Sequence, residues 1–273
     1  MTTLAALPTP VNSNKIPVIT ALFWIIKMMS TTVGGTGVYF LNADLHFSLA
    51  GTTVAAGALL AIALFFQVRA KRHVPSLYWM SVVFISVIGT LITDNLSAQP
   101  GIPVVVSAGV FGTAMIATFA LWHAKEHTLS IRAIDNRNRE LFYWVATLFA
   151  FALGSAAGDW AAEGLRLGYG NSALLFGSLI AATAFAHYVL ETNAVACFWI
   201  AYVLTCPFGA SLSDLLSKPV ADGGLGMGTL DTSLYFLVTI VALVAYLSVA
   251  QRRFDRRLRR RHRPYADRLN RLP

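Results

Sequence analysis

Long apolar runs alternate with short polar breaks along the whole chain. Eight runs stand out: 17–41, 51–68, 77–96, 104–122, 142–161, 172–190, 195–216 and 231–250. A bilayer core is about 30 Å thick and takes roughly 20 apolar residues of α-helix to cross. Each run therefore predicts one transmembrane helix.

The odd-numbered runs share a phase. Phe23-Trp24, Tyr78-Trp79, Tyr143-Trp144 and Phe198-Trp199 stand near their starts. Ten residues past each tryptophan is a glycine: Gly34, Gly89, Gly154 and Gly209. Fifteen residues past it stand Asp94, Asp159 and Asp214, with Tyr39 in the first copy. Thirty-three past it come Gly57, Gly112, Gly177 and, in the last copy, Thr232. An ungapped recurrence of this kind predicts an internal repeat. Each copy holds two runs, so it crosses twice and all copies share one orientation. The tryptophans lie 55, 65 and 55 residues apart (24→79, 79→144, 144→199), which adds a duplication of two halves. The predicted fold is an all-α integral membrane protein. Its eight transmembrane helices form four parallel two-helix repeats, about 17–68, 77–122, 142–190 and 195–250. Residues 1–16 precede them and a basic tail, 251–273, follows.

Composition sharpens this picture. The chain is 56% hydrophobic and 12% charged, with a mean hydropathy of +0.61; soluble domains carry about a quarter charged residues. Residues 1–16 contain Pro8 and Pro10 and no basic stretch, so no cleaved leader is expected and the first apolar run stays in the protein. The net charge of +8 is concentrated in ten arginines between Arg252 and Arg271. Arg69, Lys71 and Arg72 follow the second run, and Lys125, Arg132, Arg137 and Arg139 follow the fourth. The opposite loops carry Arg166 and Lys218. Basic loops stay cytoplasmic, so both termini are expected there, with the Asp ends of the odd runs outward. The expected partners are the lipid bilayer and, at the arginine tail, anionic lipid, where each basic residue adds about 1 kcal/mol. Nucleic acid is not among them, and a homo-oligomer stays open. Cys197 and Cys206 lie about 13 Å apart along one helix, too far to pair, and read as small buried apolar groups. No CxxC, HExxH or Ser/His/Asp set is present, so neither an enzyme nor a covalent cofactor is expected.

The repeat positions carry the candidate chemistry. The four tryptophans are expected as interfacial anchors. Gly34, Gly89, Gly154 and Gly209 suit either close helix packing or a helix break, the latter favoured near Pro207. A carboxylate inside a span costs at least about 2.5 kcal/mol on insertion scales and is a functional hypothesis by default. The aspartates lie about 22 Å of helix rise past the tryptophans, so exposure at the outer helix ends is the plain alternative. Repetition at one phase instead brings Asp94, Asp159 and Asp214 to one depth, near Thr90, Asn95, Ser155, Ser211 and Ser213. Such hard oxygens suit Mg²⁺, Ca²⁺ or Mn²⁺, or proton relay. Glu163 stands one helical turn past Asp159 and can share a cation or proton with it; Arg166 stands nearby as a neutralising charge. Lys27 is expected to snorkel to the cytoplasmic interface. His123 and His127 read as loop residues, His187 as weak, and the glycine-rich 221–228 as a flexible outer loop.

The segments FWIIKMMSTTVGGTG, GTLITDNL, GSAAGDWAAEGLRLGY and FWIAYVLTCPFGASLSDLLSKPVADGGLG carry a resemblance. They resemble a bacterial inner-membrane family of repeats of unknown function (domain of unknown function three-four-seven, membrane-anchored protein), over roughly residues 15–250. The resemblance implies a membrane fold of repeated helix pairs and no settled activity. Relatives in that family tend to read TTVGET followed by an acid in the first repeat; here Gly35 and Tyr39 hold those places, so repeat one lacks both acids. An acid beside a glycine in paired repeats is also similar, by analogy, to small bacterial manganese exporters. The function expected from all this is a secondary transporter or exporter of a small cation. A hard divalent metal such as manganese is the leading substrate, held by Asp94, Asp159 and Asp214 and exchanged for protons. A cation channel or a non-transporting scaffold or sensor is the alternative.

Overall fold

A computed structural model describes residues 15–70, 72–100 and 102–269, with backbone alone at 43, 44 and 254–269. Lys71, Arg271 and most of the N-terminal segment lie outside the described residues.

The eight long helices follow the eight apolar runs: α1 Ala21–Tyr39, α2 Leu49–Arg69, α3 Pro75–Ser97, α4 Val104–Glu126, α5 Arg137–Asp159, α6 Gly168–Tyr188, α7 Ala194–Ser217 and α8 Thr229–Leu269. Their starts are set by side chains that satisfy the first open N–H groups. Thr20, Ser48, Asn136 and Asn193 cap α1, α2, α5 and α7, and Pro75 opens α3. All but α1 are long and apolar enough to cross a membrane. The α1 helix carries Lys27 together with Ser30, Thr31, Thr32 and Thr36 on its buried side. The chain is thus a multi-pass, multi-helix apolar bundle.

Packing sorts the helices into two layers. The odd helices form an inner ring in which α1 packs on α3, α3 on α5, α5 on α7, and α7 back on α1. Each even helix packs mainly on the odd helix that follows it: α2 on α3, α4 on α5, α6 on α7, and α8 on α1. The outer faces are apolar and exposed, as at Val54, Ile116, Leu174 and Val241, which is the pattern of a surface that meets lipid rather than water. In α5, 61% of the crossing segment is buried inside the protein; in α8 it is 6%.

Three layers of contact hold the ring; the first two recur at all four interfaces and the third at two of them. In the first, the aromatic residue before each tryptophan packs on the tryptophan of the next inner helix. The pairs are Phe23 with Trp79 at 5.5 Å, Tyr78 with Trp144 at 5.5 Å, Tyr143 with Trp199 at 6.0 Å and Phe198 with Trp24 at 5.6 Å. In the second, each glycine seats against the residue seven past the next tryptophan: Gly34 on Ser86, Gly89 on Phe151, Gly154 on Cys206 and Gly209 on Thr31. A Cβ on Gly89 would come within 2.7 Å of the Phe151 Cβ, and one on Gly209 within 2.6 Å of the Thr31 Cβ, so only glycine fits. The third layer is hydrogen-bonded: Thr93 donates to the Ala152 carbonyl at 2.9 Å and Ser213 to the Thr32 carbonyl at 3.3 Å. In the first two layers the same phase meets the same phase at every interface.

Two expectations change. Trp79, Trp144 and Trp199 are buried and Trp24 half-buried in the aromatic layer, so they are core residues and not lipid-interface anchors. The four glycines and Pro207 sit inside unbroken α-helix, which removes the helix break and leaves packing. Where the backbone does depart from α, it widens to π-helix at Phe40–Asp44 and Trp160–Gly164, sixteen to twenty residues past Trp24 and Trp144.

Candidate functional site at the Asp end of the ring

The three aspartates sit on three different inner helices, α3, α5 and α7, at one repeat phase. They are half-buried near the helix ends and close enough to interact electrostatically, with Asp94 feeling Asp214 and Asp159 feeling both. The ring built by the glycine layer below them is what brings them together. At the same phase α1 places Tyr39, which is 49% exposed.

A cation already stands among these acids. Lys218 follows α7 directly, and its Nζ lies 3.6 Å from Asp214 Oδ2 and 3.2 Å from Glu163 Oε1. It also donates to the Tyr169 hydroxyl at 2.8 Å, and that hydroxyl donates to Glu163 Oε1 at 3.1 Å. Burial alone would lower the Lys218 pKa, but Asp214, the Tyr169 hydroxyl and Glu163 together raise it above the ordinary lysine value. The ammonium is therefore fixed in its charged form. Its backbone is held as well. The 221–228 loop folds back on α7, where Gly226 N–H donates to the Lys218 carbonyl at 2.9 Å and Met227 N–H to the Leu216 carbonyl at 3.0 Å. Gly224 lies so close to the Lys218 carbonyl that a side chain there would overlap it. The loop is thus a hydrogen-bonded clasp, where a flexible segment was expected.

The remaining predicted residues divide. Glu163 joins the cluster from the π-helical turn after α5. Asn95 turns outward and donates to Thr53 of α2 at 2.9 Å. Ser213 is committed to the Thr32 carbonyl. Ser211 is buried with its hydroxyl unpartnered, Ser155 is buried, and Thr90 is half-buried. Among the described residues, no three His, Cys, Asp or Glu side chains come together closely enough to hold a metal ion. Two of the acids, Asp214 and Glu163, are instead paired with the Lys218 ammonium.

A second polar group lies deeper in the ring. Lys27 does not snorkel: it is fully buried, and its Nζ donates to Thr205 Oγ1 at 2.6 Å and to Cys206 Sγ at 3.2 Å, both on α7. It stands over the rings of Tyr202, 4.1 Å from the centroid, and Phe151, at 4.8 Å. Toward the Trp end the Tyr202, Tyr143 and Tyr78 hydroxyls follow one another at 3.5 and 2.5 Å.

Sequence reasoning passed over Lys218, Tyr169, Glu140 and the role of Lys27. A signal existed for Lys218, which stands nineteen residues past Trp199 as Glu163 stands nineteen past Trp144 (199→218, 144→163). One existed for Lys27 too, three past Trp24 as Tyr202 is three past Trp199 (24→27, 199→202).

No curated protein and no solved structure matches the chain. The family described as Repeat of Unknown Function (DUF347) matches residues 22–73, 77–128, 142–193 and 197–253, each match beginning two residues before the repeat's tryptophan. With four copies of that repeat covering most of its length, the chain belongs to the DUF347 repeat family.

Proposed function

We propose that the protein is a secondary transporter of a small cation, and that the cation binds at Asp94, Asp159 and Asp214 by displacing Lys218 from Asp214 and Glu163. The observation that carries this reading is the placing of three half-buried carboxylates at one repeat phase on α3, α5 and α7, one of them 3.6 Å from the Lys218 ammonium. Intramembrane acids of this kind mark ion and proton pathways. A lysine among them stands in the place a transported cation takes. Binding a divalent ion such as Mn²⁺, Mg²⁺ or Ca²⁺ requires Lys218 to leave and the acids to draw together, since six or more oxygens are needed. Protons compete for the same carboxylates, which makes exchange the natural coupling. No chemical reaction is assigned to the chain.

In this reading the four repeats are parallel two-helix units about an axis along the membrane normal, grouped as two duplicated halves. The two π-helical turns, in repeats one and three, fit such a grouping. The basic loops support a topology in which both termini lie on the cytoplasmic side of a bacterial inner membrane, with the arginine tail on anionic lipid. The deciding experiment is ion flux in proteoliposomes across Mn²⁺, Mg²⁺, Ca²⁺ and Na⁺. Wild type is set beside Asp94→Asn, Asp159→Asn and Asp214→Asn. Saturable movement of one ion, lost in all three variants, is the expected result. Movement that never saturates and carries no protons would instead support a channel. Folded wild type that moves no ion overturns the proposal.

A further inference from the structure

We propose that Lys27 is a proton-binding residue embedded in the ring, exchanging its proton with the Trp end through the hydroxyls of Tyr202, Tyr143 and Tyr78. It thereby supplies the proton side of coupled transport, and in that clause the inference rests on the transport reading above.

The geometry around Nζ carries the argument. A buried ammonium is ordinarily matched by a carboxylate. Among the described residues no carboxylate lies within 4.0 Å of Lys27. Its partners are neutral acceptors. Thr205 commits its own hydroxyl proton to the Tyr202 carbonyl at 2.7 Å and so accepts from Nζ through oxygen; Cys206 accepts through sulfur. Two aromatic faces complete the pocket. These contacts stabilise the cation only moderately, and none of them is left charged and unpaired when the proton departs. A carboxylate partner would lock the ammonium in place, as Asp214 and Glu163 do for Lys218. Neutral partners leave both forms accessible.

The titratable groups that face Lys27 are Cys206 and Tyr202 of α7, with Tyr143 of α5 and Tyr78 of α3 behind Tyr202. From α5 it meets Phe151, which does not titrate. Asp214 is eight residues beyond Cys206 (206→214), about 12 Å of helix rise. On the Trp side, the Tyr202 hydroxyl lies 3.5 Å from that of Tyr143 and 3.4 Å from Thr147 Oγ1, and Tyr143 lies 2.5 Å from Tyr78. The His73 ring packs edge-on against that of Tyr78, centroids 5.8 Å apart, on the Trp side of these hydroxyls. A proton moving inward adds to one hydroxyl oxygen as that hydroxyl's own proton passes to the next. Each hydroxyl ends neutral. Nζ stands over the face of the Tyr202 ring and is not bonded to its hydroxyl, so the last hop requires that hydroxyl to turn from Thr147 to the Lys27 amine, whose lone pair takes the proton to become ammonium. Outward movement reverses each hop.

Arginine separates this role from a structural one. It keeps a positive charge and the same donors but holds its proton at every accessible pH. The test uses proteoliposomes with a pH-sensitive dye inside, holding wild type, Lys27→Arg, Lys27→Met and Tyr143→Phe, each checked for folding by thermal unfolding. With the transported cation present, wild type is expected to move protons against it. Lys27→Arg and Lys27→Met are expected to bind the cation at the acids yet lose on the order of 10²-fold in the rate of proton movement, the contribution of a positioned proton carrier. Proton coupling kept by Lys27→Arg overturns the proposal and leaves the transport reading standing; so does wild-type cation movement without protons. If wild type moves no cation at all, the transport reading fails by itself. A pH gradient imposed without cation then decides on Lys27: faster collapse in wild type than in Lys27→Arg and Tyr143→Phe supports it, and equal rates overturn it.

Discussion

Two lysines occupy one helical ring, and their surroundings are opposite. Lys218, at the Asp end, is 21% exposed and sits among Asp214, Glu163 and the Tyr169 hydroxyl. Lys27, deep in the ring, is fully buried and touches a hydroxyl, a thiol and two aromatic faces. The acids fix one ammonium in its charged form; neutral partners leave the other exchangeable. The same repeat supplies both settings, because its fifteenth position past the tryptophan carries acids in three copies and its third position carries polar groups in three: Lys27, Thr147 and Tyr202. Repeat one reverses the others. It contributes a buried cation and, at Tyr39, no acid.

A third lysine shows what a fully paired buried site costs to break. Lys15 reaches Glu140, 1% exposed, at 2.7 Å and donates to the Val68 carbonyl at 2.9 Å, while Gln67 donates to the same carboxylate at 3.3 Å. This cluster ties the start of the described chain to α2 and α5 at the Trp end. Lys15→Met strands the Glu140 charge and is expected to destabilise by about 3–5 kcal/mol. Adding Glu140→Gln is expected to restore most of that loss. Thermal unfolding in detergent is the measurement; a Lys15→Met loss under about 1 kcal/mol would show that the Trp end is held by the aromatic layer alone.

The glycine layer joins the two ends, so it offers the next largest effect. Gly154→Val forces a side chain into Cys206, beside Lys27, and is expected to cost about 1–3 kcal/mol as overpacking. Gly109→Val on α4, where an added Cβ meets nothing, is the matched control and is expected to be near neutral. Equal stability of the two variants, read from the same unfolding scans, would mean that the ring is looser than its contacts.

Much of this was legible in the residues, and the misreadings have physical causes. Apolar length gave eight helices, and fixed offsets gave the acids one phase. The tryptophans were misread because a Trp at the start of an apolar run looks the same whether it meets lipid or the next repeat; ring closure, a tertiary fact, buried it. Lys27 was placed at the interface for a related reason. Its partners Thr205 and Cys206 stand 178 and 179 residues away, beyond any local pattern. Lys218 was hidden by its loop, although it lies one turn past Asp214, the spacing that paired Glu163 with Asp159. The π-helical turns after α1 and α5 leave no residue signature that separates them from a helix end.

Replacing Lys218 tests the open side of the comparison, and the smallest change in stability is expected there. Glu163 is 60% exposed, so solvent weakens the pair, and Lys218→Met is expected to cost under about 1 kcal/mol. The sign of its pH dependence follows from its raised pKa. A base held more tightly in the folded state contributes fully below the unfolded lysine value of about 10.4, and that contribution is lost as pH rises through the folded value. Wild type should therefore exceed Lys218→Met by the same small margin from neutral pH to about pH 10, with the two converging in stronger alkali and again in acid as the partner carboxylates take up protons. Cation binding should move the opposite way. With the tethered ammonium gone, Asp94, Asp159 and Asp214 lose their internal competitor, and calorimetric titration should find tighter binding of the transported ion than in wild type. Weaker binding by a folded Lys218→Met protein would mean that Lys218 organises the acids for the cation rather than standing in its place.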